Sequence, residues 1–239
     1  MTDGLAAFGA FFALRTHPAH ATPVPPWRPM GELAREPTAL RDRVEAVRGG
    51  LAALNGREPD GIELRVAASI AHLGLVARLL SPALVLAVLQ RRHLASSLGA
   101  LWWQPVLGGP VPLSAPAEPV LAPAPASGPA DLLHDCLTDG PVGELTSAFR
   151  ALRISPRVLW GNVASALHSS AVLTASARPD LAAGVRALTA ALLARPPLRD
   201  TARTTAEGRF QRRSCCLIYR TAPGPAGPVC GDCVLAARG

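Results

Sequence analysis

Four thiols are gathered in one short stretch: Cys215 and Cys216 stand side by side, and Cys230 and Cys233 bracket Gly231-Asp232. The spacing is C-C-x13-C-x2-C, and of the five cysteines only Cys136 lies elsewhere. Four thiolates closed by one loop complete a first coordination shell for a soft metal ion or an iron–sulfur cluster. The C-x2-C half is a knuckle that converges two sulfurs. The vicinal pair discriminates further. In a regular strand adjacent side chains point to opposite faces, so the backbone at Cys215-Cys216 must leave strand geometry, or bend, for both sulfurs to reach one centre. A two-iron cluster tolerates this better than a single zinc ion, because its irons are separated and four thiolates complete both. Structural zinc commonly uses two separated knuckles, and this chain has one. A redox-active disulfide would want a thioredoxin-like strand and helix around the C-x2-C, and none is legible. Zinc and disulfide chemistry stay open as alternatives at this level. Cys136 lies in an apolar helical stretch and reads as a small buried hydrophobe.

The elements that must position these thiols read mostly as helices. Apolar residues make up 49% of the 239 and charged residues 17%, enough to bury a sizeable core. Aromatics are scarce at 4%, which favours helices packed through Ala, Leu and Val. The expected fold class is mainly α, with α+β possible: a helical protein with minor β structure around Trp102 and beside the cysteines. Leu5 to Leu14 reads as a first helix, and the Pro-rich stretch from His17 to Met30 as a loop around Trp27. Pro37 opens a helix whose apolar face is Leu40, Val44, Val47, Leu51 and Leu54, ended by Asn55-Gly56. Ile62 to about Leu94 keeps the helical period, and Ser81-Pro82, in the form of an N-cap and N1 proline, predicts two consecutive helices with a bend. Leu101 to Leu113 suits a short hairpin and the Ala/Pro run after it a linker. Further helices are expected through Asp131 to Cys136, Val142 to Leu152, from Ser155-Pro156 with Leu159, Val163, Ala166 and Leu167 inward, and from Pro179 with Leu181, Val185, Leu188 and Leu192 inward. Ser214 to Tyr219 suits a short strand. The chain thus divides into a helical region over 1–100, a hairpin and linker over 101–130, a second helical region over 131–209 and the cysteine motif over 210–239.

Charge narrows the function classes. The net charge is +7, but all 24 basic residues are arginine and they are spread along the chain, so a nucleic-acid surface is not expected. Without lysine no Gly-rich nucleotide loop of the P-loop type can form. The apolar stretch Leu79 to Leu89, interrupted by Ser81-Pro82, is too short to span a bilayer, and Leu5 to Leu14 has no basic residue before it, as a signal peptide would. No transmembrane segment is expected; peripheral membrane contact stays open. The expected compartment is the cytoplasm, where thiols stay reduced.

The run Arg212-Arg213-Ser214-Cys215-Cys216-Leu217-Ile218-Tyr219-Arg220, with Cys230-Gly231-Asp232-Cys233-Val234-Leu235, resembles the C-terminus of the FhuF-like ferric siderophore reductases, and Leu159 to Leu167 resembles another segment of that family. The resemblance implies a [2Fe-2S] cluster held by Cys215, Cys216, Cys230 and Cys233 as cofactor and metal ligands, with no residue acting as a catalytic nucleophile. It implies one-electron reduction of Fe(III) in a ferric siderophore of hydroxamate type, with a ferredoxin, a flavodoxin or their reductase as electron donor. The family spacing is C-C-x10-C-x2-C, so the intervening loop is three residues longer here. The alternative is a non-catalytic zinc- or cluster-bearing accessory protein of siderophore handling. Arg212, Arg213 and Arg220 either raise the cluster potential and steer an anionic partner or are solvated surface charges. Trp160 reads as a packing residue, Asn162 as a hydrogen-bonding one, and His72 is given no role. His134, Asp135 and Asp139 are candidates for lining a pocket.

Overall fold

Proline at the first helical position, where its missing N–H costs nothing, opens several of the helices. A computed structural model describes residues 4–117, 128–222, 227 and 229–235. Its helices are α1 (Glu32–Arg35), α2 (Pro37–Leu54), α3 (Leu64–Val85), α4 (Pro129–Thr138), α5 (Pro141–Phe149), α6 (Pro156–Ala177) and α7 (Ala182–Leu193), the last preceded by a 3₁₀ turn at Pro179–Leu181. The mainly helical expectation holds. The central pair is α3 and α6, with α2 and α5 against α3 and α7 against α6. The inward faces read from periodicity on α6 and α7 are buried or nearly so, from Leu159 and Val163 to Val185 and Leu192. Leu54 departs from its face: as the last residue of α2 it overshoots the core and is 85% exposed.

Two expectations fail for identifiable reasons. Ser81-Pro82 does not start a second helix, because α3 runs through it and ends in a π turn at Leu86–Gln90. Ser81 Oγ donates to Ala77 O at 2.8 Å and meets Ser170 Oγ of α6 at 2.8 Å. Burial against α6 thus holds the proline inside the helix despite its local cost. The stretch Leu64–Gln90 is long and apolar enough to cross a membrane, with mean hydropathy 1.9, yet 72% of that window is buried inside the protein, as befits a core helix. Nearer the start, Leu5 to Leu14 yields only a 3₁₀ turn at Leu5–Phe8, because Gly9 at φ 119° takes the chain out of helix.

The expected hairpin is present within a small sheet of β1 (Arg15–His17), β2 (Arg28–Pro29), β3 (Trp102–Trp103) and β4 (Leu113–Pro116), in the order β1-β4-β3-β2. β3 pairs antiparallel with β4 and with β2, and β1 runs parallel to β4. His17 stacks on Trp102 with ring centroids 3.7 Å apart, and Trp103 Nε1 donates to Glu32 Oε1 at 2.8 Å, which fixes α1 to the sheet. The Ala/Pro linker falls on residues 118–127, outside the described residues. The loop crossing near β4 is tied to α3 by Arg78, which is 2% exposed. Its Nε donates to Val111 O and its Nη1 to Phe11 O, both at 2.7 Å, and its Nη2 to Ala13 O. Beyond α7 an antiparallel ribbon of β5 (Ala202–Thr204) and β6 (Phe210–Arg212) lies against α6.

Candidate metal centre

β6 delivers the cysteines to the flank of α6. The Arg212 N–H donates to Asp232 O at 3.0 Å and Gln211 Nε2 to Cys233 O at 3.2 Å, which lays the C-x2-C knuckle beside β6. The knuckle closes on itself through Cys233 N–H to Cys230 O at 3.0 Å. Two hydroxyls fasten the segment to α6: Ser165 Oγ donates to the Asp232 carboxylate, and Ser214 Oγ to Arg157 O at 2.8 Å. A side chain at Gly161 would overlap Ser214 Oγ and crowd the Arg212 guanidinium. The Trp160-Gly161-Asn162 run is therefore where α6 admits the cysteine segment.

The strand expected over Ser214 to Tyr219 does not form. Pairing stops at Arg212, Leu217 takes a left-handed φ of 72°, and Ile218–Arg220 make a 3₁₀ turn. This is the departure from strand geometry that two adjacent, converging sulfurs require. The left-handed turn also aims amides at sulfur, Leu217 N–H donating to Cys215 Sγ at 3.2 Å and the Ile218 amide to Cys216, and after the knuckle Leu235 N–H donates to Cys233 Sγ at 3.3 Å.

The four thiols are free and mutually close. Cys216 accepts hydrogen bonds from Cys215 and Cys230, which hold it far below the usual thiol range, at about 2, with the Arg212 charge assisting. The same bonds push Cys215 and Cys230 upward, burial adding to the rise, and both feel Cys233. Cys216 and Cys233 are buried; Cys215 and Cys230 are half-buried, so the group has an inner and an outer edge. Among the described residues no three His, Cys, Asp or Glu side chains are set for a single metal ion. Cys215 and Cys230 both hydrogen-bond Cys216, so the thiols gather around it.

Arg212 supplies an independent test of fit. It is fully buried, its Nη2 donates to Asn162 Oδ1 at 2.6 Å and weakly to Val158 O at 3.4 Å, and among the described residues its Nε and Nη1 have no partner. Among the described residues no carboxylate pairs with it, while its charge acts on Cys216 and Cys230. A buried guanidinium with orphaned donors is costly unless an anion is supplied. A thiolate-bound iron–sulfur cluster carries net negative charge and accepts hydrogen bonds at sulfur, so the residues present fit one.

Comparison with known families agrees. Residues 212–235 match the FhuF 2Fe-2S C-terminal domain. No curated protein matches the chain. The FhuF 2Fe-2S match begins at Arg212 and contains all four clustered cysteines, so the resemblance read from the cysteine run holds over these residues and the cofactor is a [2Fe-2S] cluster. The longer loop between Cys216 and Cys230 falls partly on 223–226 and 228, outside the described residues.

Other expected residues separate. Asn162 is a buried hub: besides Arg212 it binds Ser69 O at 3.0 Å and His72 Nδ1 at 3.4 Å. His72, to which the sequence assigned nothing, is fully buried, and its Nε2 meets Thr146 Oγ1 at 3.2 Å. Burial, and then the Arg212 charge, lower its pKa to about 3, so it is neutral. Arg213 is exposed, and Arg220 makes a 2.6 Å ion pair with Glu63 at the surface. Cys136 is buried on α4, and burial raises its thiol to about 12, as suits a packed hydrophobe. His134 and Asp135 stand on α4 and Asp139 at its C-cap; no hydrogen bond or ion pair among the described residues joins them to the thiols.

Proposed function

We propose that this protein is a cytoplasmic ferric-siderophore reductase in which Cys215, Cys216, Cys230 and Cys233 ligate the cluster. The observation that carries the reading is the FhuF 2Fe-2S match over 212–235, supported by a buried cation whose free donors accompany the thiols. When bound, the cluster supplies a one-electron carrier. The chain's own residues prepare that chemistry. The amides of Leu217, Ile218 and Leu235, with Arg212, stabilise negative charge on sulfur and so favour the reduced form. Cys216 and Cys233 keep the inner edge from water, and the half-buried Cys215 and Cys230 give electrons a short route at the outer edge. The substrate is Fe(III) held by the oxygen donors of a siderophore. One electron, received from a ferredoxin, a flavodoxin or their reductase, converts it to Fe(II), which such hard donors hold far less tightly and exchange faster. The ligand leaves intact and no bond within it breaks.

Anaerobic purification should give a coloured protein with about two irons and two sulfides per chain, bleached by dithionite. Cys216→Ser should lose the colour and most of the iron. Mixing the reduced protein with a ferric hydroxamate in a stopped-flow instrument should restore the oxidised spectrum within the turnover time. A coloured protein that no ferric chelate reoxidises would overturn the reductase reading in favour of an accessory module; a colourless protein with one zinc would overturn the cluster as well.

A further inference from the structure

A cavity of about 290 Å³ opens beside the cysteine segment, between the first turn of α6 and the turn that follows α7. Arg157 and Trp160 line it from α6, Arg199 and Asp200 from the turn, and Arg213 and Ser214 from the segment itself. The segment is fixed to both walls, because Arg213 N–H donates to Thr201 O at 2.9 Å and Ser214 Oγ to Arg157 O at 2.8 Å. The wall therefore moves with the site. Ser214 immediately precedes Cys215, one Cα–Cα step of about 3.8 Å, so the cavity wall and the half-buried Cys215 belong to one stretch of backbone. Three arginines face one carboxylate, and among the described residues none of the three is in an ion pair. Arg199 Nε donates to Ala194 O at 3.2 Å and Arg213 Nε to Ala202 O at 3.4 Å, which leaves their terminal nitrogens and the Arg157 guanidinium to meet a carboxylate in a forked, two-bond geometry, with Trp160 as an apolar part of the lining. The volume lies at the small end of the roughly 300–1,000 Å³ of ligand pockets, so it takes an arm of a chelate, and its concavity disfavours the broad face of a protein.

Resting on the reductase reading, we infer that this cavity docks the carboxylate arm of a negatively charged ferric chelate, and that the protein therefore selects carboxylate-type complexes over neutral or cationic hydroxamates. The hydroxamate class implied by the family resemblance offers these arginines no counter-charge. A cluster held in part by Cys215 would supply the single electron that takes the chelated Fe(III) to Fe(II), with the chelate itself unchanged.

The test uses the cluster-loaded protein, with gallium(III) citrate as a redox-inert probe in calorimetric titration and ferric citrate as the electron acceptor. Binding should weaken with salt. Arg199→Glu and Arg157→Ala should each weaken it roughly tenfold or more, the loss of a charge-assisted contact, with the visible spectrum unchanged as a check on folding. Reoxidation by ferric citrate should slow by the same factor, and reoxidation by a cationic trihydroxamate should not slow. Wild-type affinity in both variants, or no preference of the wild type for the anionic complex, overturns the assignment. So does a defect confined to reduction by the donor protein, which would make the cavity a protein-docking surface. Gallium citrate binding that the variants abolish, with no ferric chelate reduced, keeps the pocket and removes the reductase. Reduction of ferric chelates at variant-independent rates does the reverse.

Discussion

Arg78 and Arg212 are both arginines withdrawn from water, one on α3 behind the small sheet and one on β6 behind the cysteines, and they face opposite situations. Arg78 reaches three backbone carbonyls, those of Phe11, Ala13 and Val111, so its N–H groups on every branch are used by the chain itself. Burial lowers its pKa to about 10, still charged at neutral pH. Among the described residues Arg212 has one strong acceptor, the Asn162 amide oxygen, and two nitrogens with none. The first arginine is a strap that fastens loops to a helix. The second is a cation waiting for an anion. The difference shows that burial of a charge says little about its purpose, whereas the tally of its unfilled hydrogen bonds separates architecture from function.

If that contrast is right, Arg78→Met will be the most damaging of the following changes. It strands buried carbonyls and should cost about 3 kcal/mol in chemical denaturation, equally with and without the cluster. The Arg212 side should instead respond to acid. His72 sits behind Asn162 with its pKa depressed to about 3, so the unfolded chain takes up a proton near pH 6.5 that the folded chain refuses. Stability is complete above the unfolded value and declines as pH falls toward about 3. Roughly 2 kcal/mol should be lost between about pH 7 and pH 4.5, and His72→Gln should flatten that slope in the cluster-free protein. A protein equally stable at both pH values would refute a neutral buried His72. Arg212→Gln should leave cluster-free stability within about 1 kcal/mol, because a buried unpaired charge is removed along with its bond to Asn162. In the loaded protein the same change should lower the midpoint potential by about 60 mV or more, a tenfold bias for a one-electron couple. An unchanged potential would mean that Arg212 does not face the cluster. Glu63→Ala, which breaks the exposed pair with Arg220, should alter neither melting nor potential, since solvent already screens it.

Caps and periodicity made most helices legible: Pro37, Ser155-Pro156 and the inward leucines of α7 all stand where local chemistry puts them. Ser81-Pro82 has the same local form as Ser155-Pro156 but a different outcome, because the contact with Ser170 that holds it in helix is 89 residues away. The cysteines were legible from their spacing, and so was the need for a bend at the vicinal pair. Arg212 was not distinguishable from Arg213, its neighbour of identical chemistry. Arg212 ends β6 and is buried on Asn162 of α6, whereas Arg213 lies just past the strand and is exposed, a difference that belongs to tertiary packing. The nearest signal was Trp160-Gly161-Asn162: a glycine and an amide inside an otherwise apolar helix mark a close approach and a polar grip.

The hydrophobic core cluster is assembled from residues between Leu5 and Leu198, and the thiol segment follows it in the chain. During synthesis the surface of α6 that receives the segment leaves the ribosome before any of the four clustered cysteines, and nascent chains fold in that order. The helical surface that receives the thiol segment is thus made before the segment itself. None of the four clustered thiols belongs to that core, so the helical body owes its packing to residues that precede them.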